Sequence, residues 1–203
     1  MSRITTVEQL RAIFGHPKPA VARKLQNRLT PQAIRFLEKS PLAFLSTTDT
    51  RGQSMVSPKG DVPGFITVED EHTLLLPERS GNNLVFTLQN ILHQPRVALI
   101  ALVPGTGETL RIEGTAELLD DADLCARFTV RDRPARLVMR ITVEMAYFHC
   151  AKSLLRSGVW DPACWPEALR ISFGEEIAIN GGLATTEITT FDAGVQDRYR
   201  TDL

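Results

Sequence analysis

Apolar residues in the first forty positions recur at helical spacing; beyond Pro41 they mostly alternate with polar ones or form short unbroken runs. In the first stretch, Thr5-x-x-Glu8 has the form of a capping box, whose hydroxyl and carboxylate satisfy free N–H groups at a helix start. Pro17 and Pro19 end that helix, and a second is expected over AVARKLQNRL, residues 20–29. Thr30 and Pro31 supply an N-cap and a proline at the first helical position, opening a third helix over PQAIRFLEK. After Pro41 the strand-like runs are LAFLSTTDT, SMVSPKG, FITVED, HTLLLP, VALIALVPG, TLRIEGTAELL and LVMRITVEMAYFHC, with a turn at Asp49-Thr50-Arg51-Gly52. NLVFTLQNIL, with Leu84, Val85, Leu88, Ile91 and Leu92 at helical spacing, and DADLCARFTV, starting near Asp120, read as helices between them.

Taken together, these runs predict roughly six antiparallel strands with peripheral helices, a mainly β chain of the α+β class. The regular βαβ alternation of a doubly wound sheet is absent. Many short antiparallel strands favour a small closed barrel, because closure removes exposed edges. Past Trp160 the pattern loses its period and carries Pro162, Pro166 and Gly181-Gly182. We expect one domain over residues 1–203, with helices over 1–40, a barrel core over 41–160 and an extension over 161–203 that wraps the barrel or a partner.

Composition narrows the function classes. The chain has 203 residues, 43% hydrophobic and 23% charged, enough for one ordinary domain with a core. Its net charge of -1, with no basic stripe, argues against nucleic acid as a partner. No run approaches the about 18 apolar residues of a membrane helix, and the N-terminus lacks the apolar core of a signal peptide. Cys125, Cys150 and Cys164 are widely spaced and odd in number, which fits a reducing cytoplasm better than a disulfide scaffold. No phosphate-binding G-x-x-x-x-G-K-[ST] loop, G-x-S-x-G elbow, H-E-x-x-H or C-x-x-C pair is present. The four histidines are scattered, and no residue stands out as a general acid or base.

Four segments carry candidate chemistry. Ser54 to Asp61 is a strand ending in Ser-Pro-Lys-Gly, where Pro58 donates nothing, Gly60 allows close approach and Lys59 offers a cation; it also suits an ordinary strand-end turn. Pro77 to Asn83 precedes a helix, whose free N–H groups suit a phosphate, with Arg79 for a bidentate contact and Ser80, Asn82 and Asn83 as neutral donors; a simple N-cap would use the same residue types. Thr109 and Arg111 share one face of a strand, facing either ligand or solvent. Lys152 and Arg156 share a helical face and Trp160 offers a stacking surface, or the three form a solvated helix and a packed ring.

In this order, SPKGD-x-PGF, PERSGNN, LVPG-x-x-ETLRI-x-G and AYFHCAK-x-L-x-RS-x-x-WDP resemble the pyridoxamine 5'-phosphate oxidase-related FMN-binding family, and a bacterial branch of it most closely. The resemblance covers about residues 40–162. It implies a split β-barrel homodimer with FMN at the subunit interface, in a flavin-dependent oxidoreductase with a small-molecule substrate. It also implies flavin contacts from Met55, Val56, Ser57, Pro58 and Lys59 along one strand. Pro77, Arg79, Ser80, Asn82 and Asn83 would lie on the phosphate turn, Thr109 and Arg111 near the ring or ribityl chain, and Lys152, Arg156 and Trp160 near the partner's flavin. The chain departs from the vitamin B6 oxidases in its less basic turn and in lacking their C-terminal Arg-x-His clamp, so pyridoxamine phosphate is not the expected substrate. Alternatives on the same fold are a non-catalytic flavin or haem module, with His72, His93 or His149 as haem ligands, a reductase using the deazaflavin F420, and a structural dimer with a vestigial site.

Overall fold

The computed structural model describes residues 3–202, with Ala22 described through its backbone alone. The chain forms two compact units, one up to Trp160 and one from Asp161 onward. The first contains α1 (Val7–Phe14), α2 (Pro19–Ala22), α3 (Pro31–Leu37), β1 (Leu42–Thr48), β2 (Ser54–Gly60), β3 (Thr67–Asp70), β4 (Thr73–Glu78), α4 (Phe86–His93), β5 (Arg96–Leu102), β6 (Thr109–Leu119), α5 (Ala122–Ala126), β7 (Leu137–His149) and α6 (Lys152–Ser157).

Among the described residues the strands form one sheet in the order β2-β1-β5-β6-β7-β4-β3, antiparallel throughout. The count is seven where about six were expected: each of the seven strand-like runs, the short FITVED run of β3 included, forms a strand of its own. The alternation seen in the sequence sets the register. Ala43, Leu45, Leu99, Ala101, Leu110, Ile112, Leu74, Leu76, Met139 and Ile141 point to a common buried core, closed at one side by Leu37 and Ala33 of α3. Each fully buried leucine or isoleucine contributes about 1.5–3 kcal/mol. On the opposite face of β4 and β7, Leu75 and Val138 pack with Cys125 of α5, Phe128 and Ala135 in a smaller cluster.

The helical stretch departs from expectation in two places. The α1 cap is Thr6 with Gln9, one residue later than the Thr5-Glu8 box, since both registers offer a hydroxyl and a side-chain oxygen three residues on. The helix expected over 20–29 stops at Ala22, because the backbone of Gln26 instead exchanges hydrogen bonds with Ala146 of β7, at 3.1 and 2.8 Å, and Leu29 is buried in the barrel core. Thr30 does cap α3, accepting from the Ala33 N–H.

The second unit contains α7 (Phe173–Ile179) and α8 (Ile188–Thr201), each preceded by a short 3₁₀ turn. Gly174 allows their close approach: a β-carbon there would meet Ile188 at 3.0 Å. The Gly174 N–H donates to Asp192 at 2.9 Å. The Ser172 hydroxyl, followed by that N–H, holds the Asp192 carboxyl below its ordinary pKa. Among the described residues no helix is long and apolar enough to cross a membrane.

Where β6 meets β7, the pairing slips between Glu113 and Gly114. A β-carbon on Gly114 would collide with the Thr142 carbonyl, so only glycine fits. Gly114→Ala is expected to lower stability by about 2–3 kcal/mol, read as a shifted urea midpoint; an unchanged midpoint would show that the bulge relaxes freely.

Candidate functional site

In the sheet order β2 lies at one end and β4 next to the other, so no backbone ladder joins them. Side chains do. Lys59 Nζ of β2 lies 2.6 Å from Glu78 Oε2 at the end of β4. Just beyond each strand, Arg79 Nε lies 2.6 Å from Asp61 Oδ2. Arg79 Nη1 also donates to the Phe128 carbonyl at 2.6 Å. Both pairs are sheltered, with Lys59 and Asp61 side chains 11% exposed, so water screens them less than it would a surface pair.

A cavity of about 420 Å³ opens at this seam. Met55, Ser57 and Lys59 of β2 form one wall, Glu78 through Phe86 curve around it, and Arg136 and Leu137 close it. Thr87 fixes the helix to the strand, its hydroxyl 2.8 Å from that of Ser57. Deeper in, buried Asn90 donates to buried Thr47 at 3.0 Å, holding α4 against β1. The turn into α4 is strained: Asn83 and Val85 adopt left-handed φ of 60° and 47°. For β-branched Val85 this costs on the order of 1–3 kcal/mol. Val85 is the α4 N-cap and makes no side-chain capping bond, so the helix starts at Phe86 with uncapped N–H groups at the cavity. Asn82 is used differently, accepting the Leu84 N–H at 3.1 Å in the turn.

The candidate residues thus divide. Met55, Ser57, Lys59, Arg79, Ser80, Asn82 and Asn83 converge on the cavity. Val56 and Pro58 point to the other face of β2 and are exposed, as strand alternation demands. Pro77 is buried and borders a smaller pocket behind Arg79. Thr109, Arg111, Lys152, Arg156 and Trp160 do not line the seam cavity. Arg111 hydrogen-bonds the Tyr147 hydroxyl at 3.3 Å, and Trp160 Nε1 donates to the Thr106 carbonyl at 2.9 Å. Lys152 and Arg156 are exposed on α6. Sequence reasoning missed Glu78 as the partner of Lys59, Asp61 as the partner of Arg79, and Arg136. The RDRPAR run ahead of β7 was a signal for Arg136.

A second, more open cavity of about 770 Å³ shares Met55 and Phe86 with the first and extends along Asp49, Gln53, Gln89 and His93. There the Gln53 N–H is the main influence holding the Asp49 carboxyl below its ordinary pKa. His72 and His149 lie outside both cavities.

The sequence model of the pyridoxamine 5'-phosphate oxidase family matches residues 29–150, more than half of the chain. The chain belongs to the pyridoxamine 5'-phosphate oxidase family. The matched span runs from the end of the N-terminal helical stretch through β7 and includes every residue lining the seam cavity. Several solved structures resemble part of the chain. HupZ of Group A Streptococcus superimposes with a TM-score of 0.50 at 20% identity, over 59% of this chain and 93% of that one. A Clostridium acetobutylicum protein related to general stress protein 26, of the pyridoxinephosphate oxidase family, gives 0.46 at 13% identity, over 59% and 86%. An F420 reductase gives 0.40 at 20% identity, over 59% and 98%. No curated protein sequence matches the chain.

Removing the carboxylate of Glu78 strands the Lys59 ammonium in a sheltered position. Glu78→Ala is expected to cost about 2 kcal/mol, and the double change Lys59→Met with Glu78→Leu less than that single one. Equal losses in denaturant titrations would show that the stranded Lys59 ammonium is not what the single change costs.

Proposed function

We propose that the protein binds FMN non-covalently in the seam cavity and acts in the cytoplasm, as a homodimer, as a flavin-dependent oxidoreductase on a small molecule. The observation that carries this reading is the cavity itself. Its lining combines the uncapped start of α4, a polar turn and the cation of Arg136, unpaired among the described residues, with apolar side chains of Met55, Leu84, Val85 and Phe86. The polar groups suit a phosphate and the apolar side chains suit a flat, largely apolar ring. The volume fits small-molecule sites, which begin at roughly 300 Å³.

When bound, FMN supplies hydride and electron transfer through its flavin ring. The chain's own contribution is anchoring and orientation. Ser80 and Asn83 would offer neutral donors to the phosphate, and Met55 and Ser57 of β2 would line the ring. Ser57, tied to Thr87, keeps that wall fixed relative to α4.

A second copy is supported by the outward face of the sheet. Val56, Pro58, Phe44, Ala98 and Ile100 form an apolar patch across β2, β1 and β5, with Val56 65% and Phe44 38% exposed. Arg111 pairs with Ile100 across β5 and β6, and Thr109 shares its face, so docking there carries both residues to the interface. Lys152, Arg156 and Trp160 would reach the partner's flavin from the chain beyond β7.

The purified protein is expected to show flavin absorbance bands, to release FMN on denaturation and to scatter light as a dimer. Val56→Glu is expected to give monomers with FMN affinity reduced at least about tenfold. A colourless protein that FMN cannot reconstitute would overturn the flavin reading; a monomer that still holds FMN would overturn the interface site.

A further inference from the structure

Three cations line the cavity, Lys59, Arg79 and Arg136, and they are not equivalent. Lys59 is neutralised by Glu78 and Arg79 by Asp61. Arg79 also spends Nη1 on the Phe128 carbonyl, tying the turn to the segment after α5. These contacts close the seam. A phosphate that took over either cation would have to displace a carboxylate and leave it unpaired in a sheltered position, at a cost comparable to what it gains. Arg136 differs. Its backbone N–H is anchored to the Glu78 carbonyl at 2.9 Å, at the end of the β4–β7 ladder, while its exposed side chain has no partner among the described residues. The two pairs cancel, so the positive charge left among the cavity's lining residues is that of Arg136.

Resting on the FMN reading above, we infer that Arg136 is the cation that anchors the phosphate, and that Arg79 is a positioning residue that holds the turn and the seam. A guanidinium whose backbone is fixed at a ladder end and whose side chain is free of protein partners can meet two phosphate oxygens side by side without disturbing the barrel. The neutral donors of the turn complete the contact. The site therefore discriminates FMN from riboflavin through a residue at the start of β7 rather than through the arginine of the turn.

The test compares dissociation constants for FMN and for riboflavin, by fluorescence quenching, in the wild type, Arg136→Ala, Arg136→Lys and Arg79→Lys, together with the melting temperature of each without flavin. Arg136→Ala is expected to weaken FMN by about 10- to 100-fold, to leave riboflavin unchanged and to leave the flavin-free melting temperature unchanged. Arg136→Lys is expected to recover part of the preference for FMN. Arg79→Lys is expected to lower the melting temperature and to weaken both flavins alike. If the wild type prefers FMN and Arg136→Ala keeps that preference, the assignment of Arg136 falls and the FMN reading stands. The same holds if the wild type binds both flavins equally. If the wild type binds neither flavin, the FMN reading falls and this inference with it.

Discussion

Two ion pairs, Lys59–Glu78 and Arg79–Asp61, hold together what the backbone leaves apart. The seven strands could close into a barrel only if β2 met the far side of the sheet, and no ladder joins them there. Side-chain charge bridges the gap instead. A hydrogen-bonded seam would have left no room between the strands; a seam bridged by long side chains leaves a cavity. The opening that makes the fold useful and the contacts that keep it closed are therefore the same piece of structure.

The rest of the site is organised around that gap. Helix α4 is pinned to β2 and β1 by Ser57–Thr87 and Thr47–Asn90, so its first turn stays at the cavity mouth. The left-handed Val85 turns the chain into the helix without supplying a cap, and the surrounding packing sustains its strain. Polar groups that an ordinary helix start would satisfy internally are left for something else to satisfy. This is the combination expected where a chain sacrifices local stability for binding.

Much of the barrel was legible in the sequence because a half-buried strand must alternate. The runs from Leu42 to His149 became strands, most of them with alternate apolar positions inward, and Thr30-Pro31 marked a helix start that formed. Local signals failed where distant partners decided. The helix expected through Gln26 lost to pairing with Ala146, and the cap moved from Thr5 to Thr6 because both registers satisfy the same rule. At the site, the motifs located one wall and the turn. Alternation separates Met55, Ser57 and Lys59, on the cavity side of β2, from Val56 and Pro58 on its exposed face. The carboxylate partners and Arg136 come from parts of the chain far from the turn, and no spacing rule reports an ion pair across a seam.

A split barrel keeps two sheet edges, and an unpaired edge can template the addition of foreign strands. Here one edge strand, β2, carries Pro58, which lacks an N–H and interrupts any row of donors offered to a newcomer. The other, β3, is only four residues long and ends in Glu69 and Asp70. The chain thereby keeps an open seam for a ligand while giving fibril growth little to build on.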